Sequence, residues 1–298
     1  MSQEWMDQRE LGTIAAIRIV VGIMLRVGRP LARYTRYPVC LYYLLFFPKA
    51  RKASRDYLAR VLPRKPTLRD IFRHFMSFAT IAMDRFFLLK ERYDLFNIEL
   101  HGEDVLTEVH ERGQGCLLLG AHIGSFEVLR ALGTTNQIEV AVVMYQENAR
   151  MVNRVAKAIN PALAESIISL GHFDSMLKVQ ERLERRQWVG ILGDRALTDE
   201  GQTRVPFLGD TAAFSTATFQ ISLALKRPVI FMVGLYRGGN RYDLHFEKLL
   251  DPLSVERADR AEAIDHAVRA YVQRLEWCCK EAPYNWFNFY DFWDHSEP

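Results

Sequence analysis

The sequence predicts an α/β fold: a mixed, largely parallel central sheet flanked by helices, preceded by a helical N-terminal extension. Three observations lead there. From Phe96 onward, short apolar runs of strand length alternate with segments of helical period. Residues 50–90 show helical periodicity with no strand pattern. The first quarter also has its own charge balance, with 15 Lys/Arg against 5 Asp/Glu up to Arg73 and 24 against 31 in the remainder. We therefore divide the chain into a basic, helical region over 1–92 and an α/β domain over 93–298.

The elements follow in order. Ala53–Val61 and Leu68–Leu89 read as helices split by a Pro63–Pro66 break, and the second repeats Ile71, Phe75, Phe78, Ala82, Phe86 and Leu89 at helical spacing. Gly115–Ala121 reads as a strand, followed by a short helix over Ser125–Leu132 with Gly133 as its stop. Ile138–Met144 is the next strand, Met151–Ile159 a helix ending before Pro161, Ser166–Leu170 a brief strand and Phe173–Arg186 a helix. Trp188–Leu192 is a strand that runs into Gly193-Asp194-Arg195. Phe214–Leu225 reads as an apolar helix. Pro228–Leu235 pairs with Tyr242–Glu247 across Gly238-Gly239, and a last helix covers Arg257–Glu281.

Composition narrows the classes. With 298 residues, 49% hydrophobic and 25% charged, the chain can bury a large core. Cys40, Cys116, Cys278 and Cys279 show no CxxC spacing, so neither a zinc site nor a disulfide framework is expected, and a reducing compartment fits. No GxGxxG or Walker-type loop is present, so no nucleotide cofactor is expected. His101, His110, His172, His245, His266 and His295 lack ligand spacing and read as structural or surface residues. The start, MSQEWMDQRE, does not resemble a cleavable signal peptide.

The basic first quarter points to an anionic partner, and the apolar runs beside it favour lipid over nucleic acid. Ile14–Leu25 has 12 residues with Arg18 inside, and Tyr37–Phe47 has 11 with Pro38 near its start. A spanning helix needs about 20 apolar residues. Both runs therefore fit helices lying in a membrane interface, with Trp5 and tyrosines at that depth and Arg18, Arg26, Arg29, Arg33 and Arg36 snorkelling to headgroups. The competing reading makes them amphipathic helices that cover the main core. Lys49, Arg51, Lys52 and Arg55 suit a phospholipid surface, the acidic face of a partner protein or a solvated helix face.

In open α/β sheets, sites form beyond the carboxyl ends of the strands. GAHIGSFEVLRALG, residues 120–133, occupies such a place, and so does Asp194. Residues five apart on one helix sit roughly 140° apart. His122 and Glu127 can therefore meet only if the histidine stays outside the helix, a junction that Gly124 and Ser125 supply. A carboxylate on one imidazole nitrogen fixes the tautomer, and the other nitrogen can then take a proton. The plain alternative is a capping serine, a helix-start glutamate and a locally satisfied histidine.

The stretch resembles the H-x4-D/E block of the lysophospholipid acyltransferase superfamily, and GAHIGSFE in particular resembles the lipid A biosynthesis (late) acyltransferase branch. A second block agrees, with Asp194, Val205-Pro206-Phe207-Leu208-Gly209 and Ser215-Thr216 in family order. Pro283-Tyr284-Asn285-Trp286 is similar to the closing P-x-x-W stretch. The similarity covers about residues 95–290. It implies a membrane-associated acyltransferase at the cytoplasmic face of a bacterial inner membrane, peripheral or monotopic. The fatty acyl chain would pass from an acyl carrier protein or acyl-CoA thioester to a hydroxyl or amine of a lipid or glycolipid, without an acyl-enzyme. His122 would be the general base and Glu127 its orienting carboxylate. Gly124, Ser125, Asp194, Arg195, Phe207, Ser215 and Thr216 would bind substrate, with Phe207–Phe219 along the acyl channel. An arginine that the family usually carries about 30 residues before the Asp turn is missing from Pro161–Ser166, and Arg195 would stand in for it. That departure also admits a separate branch, such as the acyltransferases of aryl-polyene-type clusters.

Two other classes compete. One is a metal-dependent hydrolase with His122, Glu127 and Asp194 as ligands, which lacks a second histidine at helical metal spacing. The other is a non-catalytic membrane scaffold. The aromatic run PYNWFNFYDFW, with seven aromatics in eleven positions, reads as a C-terminal clasp over the core or as a lip at a membrane interface or an acyl tunnel.

Overall fold

The computed structural model describes residues 14–129, 139–144, 158–160, 166–169, 174–195 and 201–293. The helix expected over Met151–Ile159 and the missing-arginine segment lie largely outside these residues. So does the end of the helix expected after Ser125.

Among the described residues five helices come first: α1 (Ile14–Val27), α2 (Arg29–Ala32), α3 (Arg36–Phe46), α4 (Pro48–Val61) and α5 (Leu68–Leu89). The boundaries of α5 match the sequence expectation for a local reason. Thr67 and Asp70 form a capping box, each side chain accepting from the other's backbone N–H. Arg64 also holds Asp70 with two bonds of 2.7 and 2.8 Å, and the Tyr284 hydroxyl donates to it at 2.8 Å.

The arginines of this region do not behave as the sequence suggested. Arg29 is buried and grips Asp84 of α5 through Nε and Nη2, both at 2.7 Å. Arg33 donates to the Tyr236 hydroxyl at 2.8 Å and to the Gly239 carbonyl, and Arg36 donates to Thr80 Oγ1. These three are fasteners to the rest of the protein rather than snorkelling groups. The bidentate carboxylate and the hydroxyl and carbonyl acceptors satisfy the guanidinium donors within the protein.

Among the described residues nine strands follow: β1 (Asn97–His101), β2 (Leu117–Gly120), β3 (Val140–Met144), β4 (Ile167–Ser169), β5 (Trp188–Leu192), β6 (Gln202–Phe207), β7 (Asp210–Ser215), β8 (Val229–Gly238) and β9 (Arg241–Leu250). Seven form one mixed, mostly parallel sheet in the order β1-β9-β8-β2-β5-β3-β4, in which only the β8–β9 pair is antiparallel. Helices α6 (Glu103–Glu111), α7 (Ser175–Glu184), α8 (Ala217–Leu225) and α9 (Arg260–Glu281) accompany it. β2 lies at the centre and is wholly buried, as its unbroken Leu117-Leu118-Leu119 run predicts for a strand covered on both faces. One continuous core joins Cys40, Tyr57, Leu58, Ile71 and Phe75 of the N-terminal helices to Leu117, Val189 and Phe231 of the sheet and Tyr271 of α9.

The expected helix from Phe214 is a strand up to Ser215, and helical structure starts at Ala217. β6 and β7 make a separate hairpin, turning at Leu208 (φ 51°) and Gly209 (φ 83°). Two positive-φ residues in a two-residue loop match the twist of the flanking strands. Val205, Phe207, Ala212 and Phe214 are buried at alternate positions, a period of two hidden by the helix-forming alanines and the proline.

Candidate active site

The backbone of the site is set at the carboxyl end of β2. The Tyr271 hydroxyl and the Gly193 N–H donate to the Gly120 carbonyl at 2.9 and 3.0 Å, which fixes the strand end beside the Asp194 turn. Beyond Gly120 the chain threads between β8 and the C-terminal aromatic run. Gly124 N donates to the Asn285 carbonyl, Ser125 N to the Gly234 carbonyl, and Phe287 N to the His122 carbonyl, at 2.8, 2.8 and 2.7 Å. Gly124 has φ +59°, and a Cβ there would strike the Gly234 carbonyl oxygen. Only glycine meets both demands.

This threading holds His122 outside any helix. Glu127–Leu129 forms a 3-10 turn. Imidazole Nδ1 lies 2.8 Å from Asp194 Oδ1, and the His122 backbone N–H reaches both carboxylate oxygens, at 3.1 and 3.0 Å. Trp286 Nε1 donates to Asp194 Oδ2 at 3.0 Å and Asn288 Nδ2 at 2.9 Å. The Asp194 side chain has no exposed surface, whereas His122 keeps 29% of its own. The carboxylate can only accept, so Nδ1 carries the ring proton and Nε2 presents its lone pair. Among the described residues nothing bonds to Nε2.

Charge is distributed to suit. Burial works to raise the Asp194 pKa, but His122, Arg195 and the Asn288 amide outweigh it and hold the carboxyl ionised, well below its ordinary value. Burial, then the charge of Arg195, lowers the His122 pKa against the pull of Asp194, which keeps the imidazole neutral near pH 7. Arg195 is itself held by Asn288 Oδ1 at 2.8 Å and the Phe287 carbonyl at 3.4 Å, and lies 5.5 Å from the centre of the Tyr290 ring.

The sequence paired His122 with Glu127, and the geometry differs. The carboxylate on the imidazole is Asp194, 72 residues away. Glu127 instead forms an ion pair with Arg85 of α5 at 2.7 Å. His122, Gly124, Ser125, Asp194 and Arg195 do come together. Ser215 and Thr216 act locally: Ser215 Oγ accepts from Ala217 N, and Thr216 Oγ1 donates to the Gly201 carbonyl. Phe207 is fully buried among Phe214, Trp286, Phe292 and Trp293. Of the three ligands the hydrolase alternative needs, Asp194 lies on the imidazole of His122 while Glu127 is paired with Arg85.

Sequence reasoning missed Trp286 and Asn288 as partners of Asp194. The sequence leaves the C-terminal run as a clasp or a lip, and the structure makes it the support of Asp194 through Trp286 and Asn288. A buried histidine supports it from behind. His74 lies 2.7 Å from the Trp286 carbonyl through Nε2 and 2.9 Å from Ser54 Oγ through Nδ1. Burial pushes its pKa down to about 4, so it is neutral at pH 7. The carbonyl can only accept, so Nε2 donates and Nδ1 accepts from the serine hydroxyl.

Compared with known families, residues 15–294 match the bacterial lipid A biosynthesis acyltransferase family. The chain belongs to that family. It is an acyltransferase that acts on lipid, and its matched region includes the N-terminal helices as well as the sheet. A search of curated proteins found no match.

Proposed function

We propose that this acyltransferase moves a fatty acyl chain from the thioester of an acyl carrier protein or coenzyme A to a hydroxyl of a lipid or glycolipid, with His122 as general base. The observation that carries this reading is the Asp194–His122 pair, with an oriented Nδ1–H and an unpaired Nε2 at a partly open surface. His122 Nε2 takes the proton of the acceptor hydroxyl as its oxygen attacks the thioester carbonyl carbon. The tetrahedral adduct collapses, the C–S bond breaks, and the leaving thiolate receives the proton from the imidazolium. Asp194 stabilises that imidazolium while it exists. Glu127 and Arg85, beside the same loop, would set the charge of the mouth, and Arg195 would orient the acceptor headgroup.

The reading places this chemistry at the cytoplasmic face of a bacterial inner membrane. No helix among the described residues is long and apolar enough to cross a bilayer. However, eleven of the sixteen exposed large hydrophobics among the described residues lie between Ile19 and Phe46. Such a concentration marks a contact surface, and the basic residues beside it on α4 suit anionic headgroups.

The test uses the full chain on lipid vesicles, with an acyl thioester and candidate acceptors, read by mass spectrometry for a gain of one acyl chain. His122→Ala is expected to lower the rate on the order of 10²–10⁴-fold. A His122→Ala protein that transfers acyl chains at the normal rate overturns the mechanism.

A further inference from the structure

A second cluster of reactive side chains lies away from His122, at the β1 edge of the sheet. β1 runs parallel to β9, with Glu99 opposite Asp243 and His101 opposite His245. Ile98, Leu100, Tyr242 and Leu244 turn to the core on one face of this ribbon. Alternation therefore puts Glu99, His101, Asp243 and His245 together on the other face. Two carboxylates and two imidazoles thus form a square built by the register of two strands.

We propose that His101, Asp243 and His245 bind a divalent first-row transition-metal ion of the zinc class, with Glu99 as a fourth or outer donor, and that the ion clasps edge strand β1 to β9. One ligand atom from each of the three residues lies within 4.8 Å of the others. The two imidazole rings are 4.4 Å apart and nearly parallel, at 10°. Glu99 Oε1 is 3.6 Å from His101 Nε2. Among the described residues His245 Nε2 is buried without a hydrogen-bond partner, an unusual state for a nitrogen that costs free energy to desolvate. A coordinated ion would satisfy it.

The donor chemistry selects the ion. Imidazole with carboxylate suits zinc, cobalt, nickel and copper, whereas magnesium and calcium take oxygen ligands. Ligand atoms around a tetrahedral zinc at ~2.0–2.2 Å stand about 3.4 Å apart, so side-chain rotation closes the cluster onto the ion. The competitor is Arg237, which holds Asp243 in an ion pair. Arg237 also has the Glu281 carbonyl at 3.3 Å and the Glu281 carboxylate at 4.0 Å, so it has somewhere to turn when Asp243 ligates. His101 and His245 were read from sequence as lacking ligand spacing. The spacing is absent along the chain because it runs across two strands.

Cobalt(II) titrated into chelator-stripped full-length protein tests this by visible absorption. One ion per chain is expected, displaced by zinc, with zinc raising Tm by several degrees. His101→Gln and His245→Gln are expected to lose the absorption band and the Tm shift, while His122→Ala keeps both. Arg237→Gln frees Asp243 and is expected to bind cobalt several-fold more tightly, a gain that misfolding cannot mimic. No band in the wild-type protein, a band that survives in both histidine variants, or unchanged affinity in Arg237→Gln overturns the assignment.

Discussion

Two buried aspartates, Asp84 and Asp194, hold their charges in opposite ways. Asp84 accepts both arms of the Arg29 guanidinium at 2.7 Å and the Tyr242 hydroxyl at 2.8 Å. Its countercharge is a full cation, and the pair joins α2 to α5 and β9. Asp194 accepts from an imidazole, an indole, an amide and a backbone N–H, with no cation among its hydrogen-bond donors in the described residues. A permanent cation finishes the electrostatics and makes a fastener. Neutral donors leave the carboxylate able to stabilise a charge that comes and goes, which a base needs each time it takes a proton.

The largest effect is expected where that transient charge is lost. Asp194→Asn keeps size and polarity but removes the anion and lets the ring adopt the wrong tautomer. We expect kcat/KM to fall on the order of 10²–10⁴-fold, with Tm lowered by only a few degrees. Steady-state kinetics beside a thermal melt separates the two readouts. A loss under tenfold would make Asp194 a structural residue like Asp84.

Asp84→Ala should invert that pattern. It strands Arg29 in the interior without a partner, and breaking a buried pair costs about 3–5 kcal/mol. Denaturant unfolding measures the loss. The surviving folded fraction should turn over at the normal kcat, because no group on His122 has changed. If kcat collapses while stability holds, the N-terminal helices take part in the chemistry rather than in holding the fold.

The two aspartates also show where the sequence was readable. α5 could be placed to the residue because its cap and its 3.6 period are local, and β2 because a strand covered on both faces is apolar throughout. His122 stood out through Gly124 and Ser125, whose need for an unusual backbone is written beside it. Its partner did not: Glu127 was close along the chain and Asp194 close in space, and the sheet order that brings β5 next to β2 is set by packing that no window of sequence contains. The β6–β7 hairpin escaped because its turn depends on two positive φ angles, one at Leu208, where a leucine gives no warning. Arg29 was read as a membrane residue because nothing near it hinted at Asp84, 55 positions on.

The smallest effect is a movement of the acid limb of the pH profile, and it tests how Asp194 and Arg195 share control of one imidazole. His122 works as a base only when neutral, so kcat/KM should be flat above its pKa and fall as pH drops through it. Burial, then Arg195, sets that pKa below the ordinary imidazole value, while Asp194 pulls it upward. Arg195→Gln removes a depressing charge, so the limb should shift to higher pH, and Arg195→Lys, which keeps the charge, should leave it in place. Asp194→Asn removes the raising influence, so in its residual activity the limb should shift to lower pH. Arg195 also bonds Asn288 and the Phe287 carbonyl, so its loss can alter KM as well. The position of the limb, rather than the height of the plateau, is therefore the quantity to compare. If both Arg195 variants left the limb unmoved, the group titrating would not be His122, and the Asp194 pair would lose its claim to be the base.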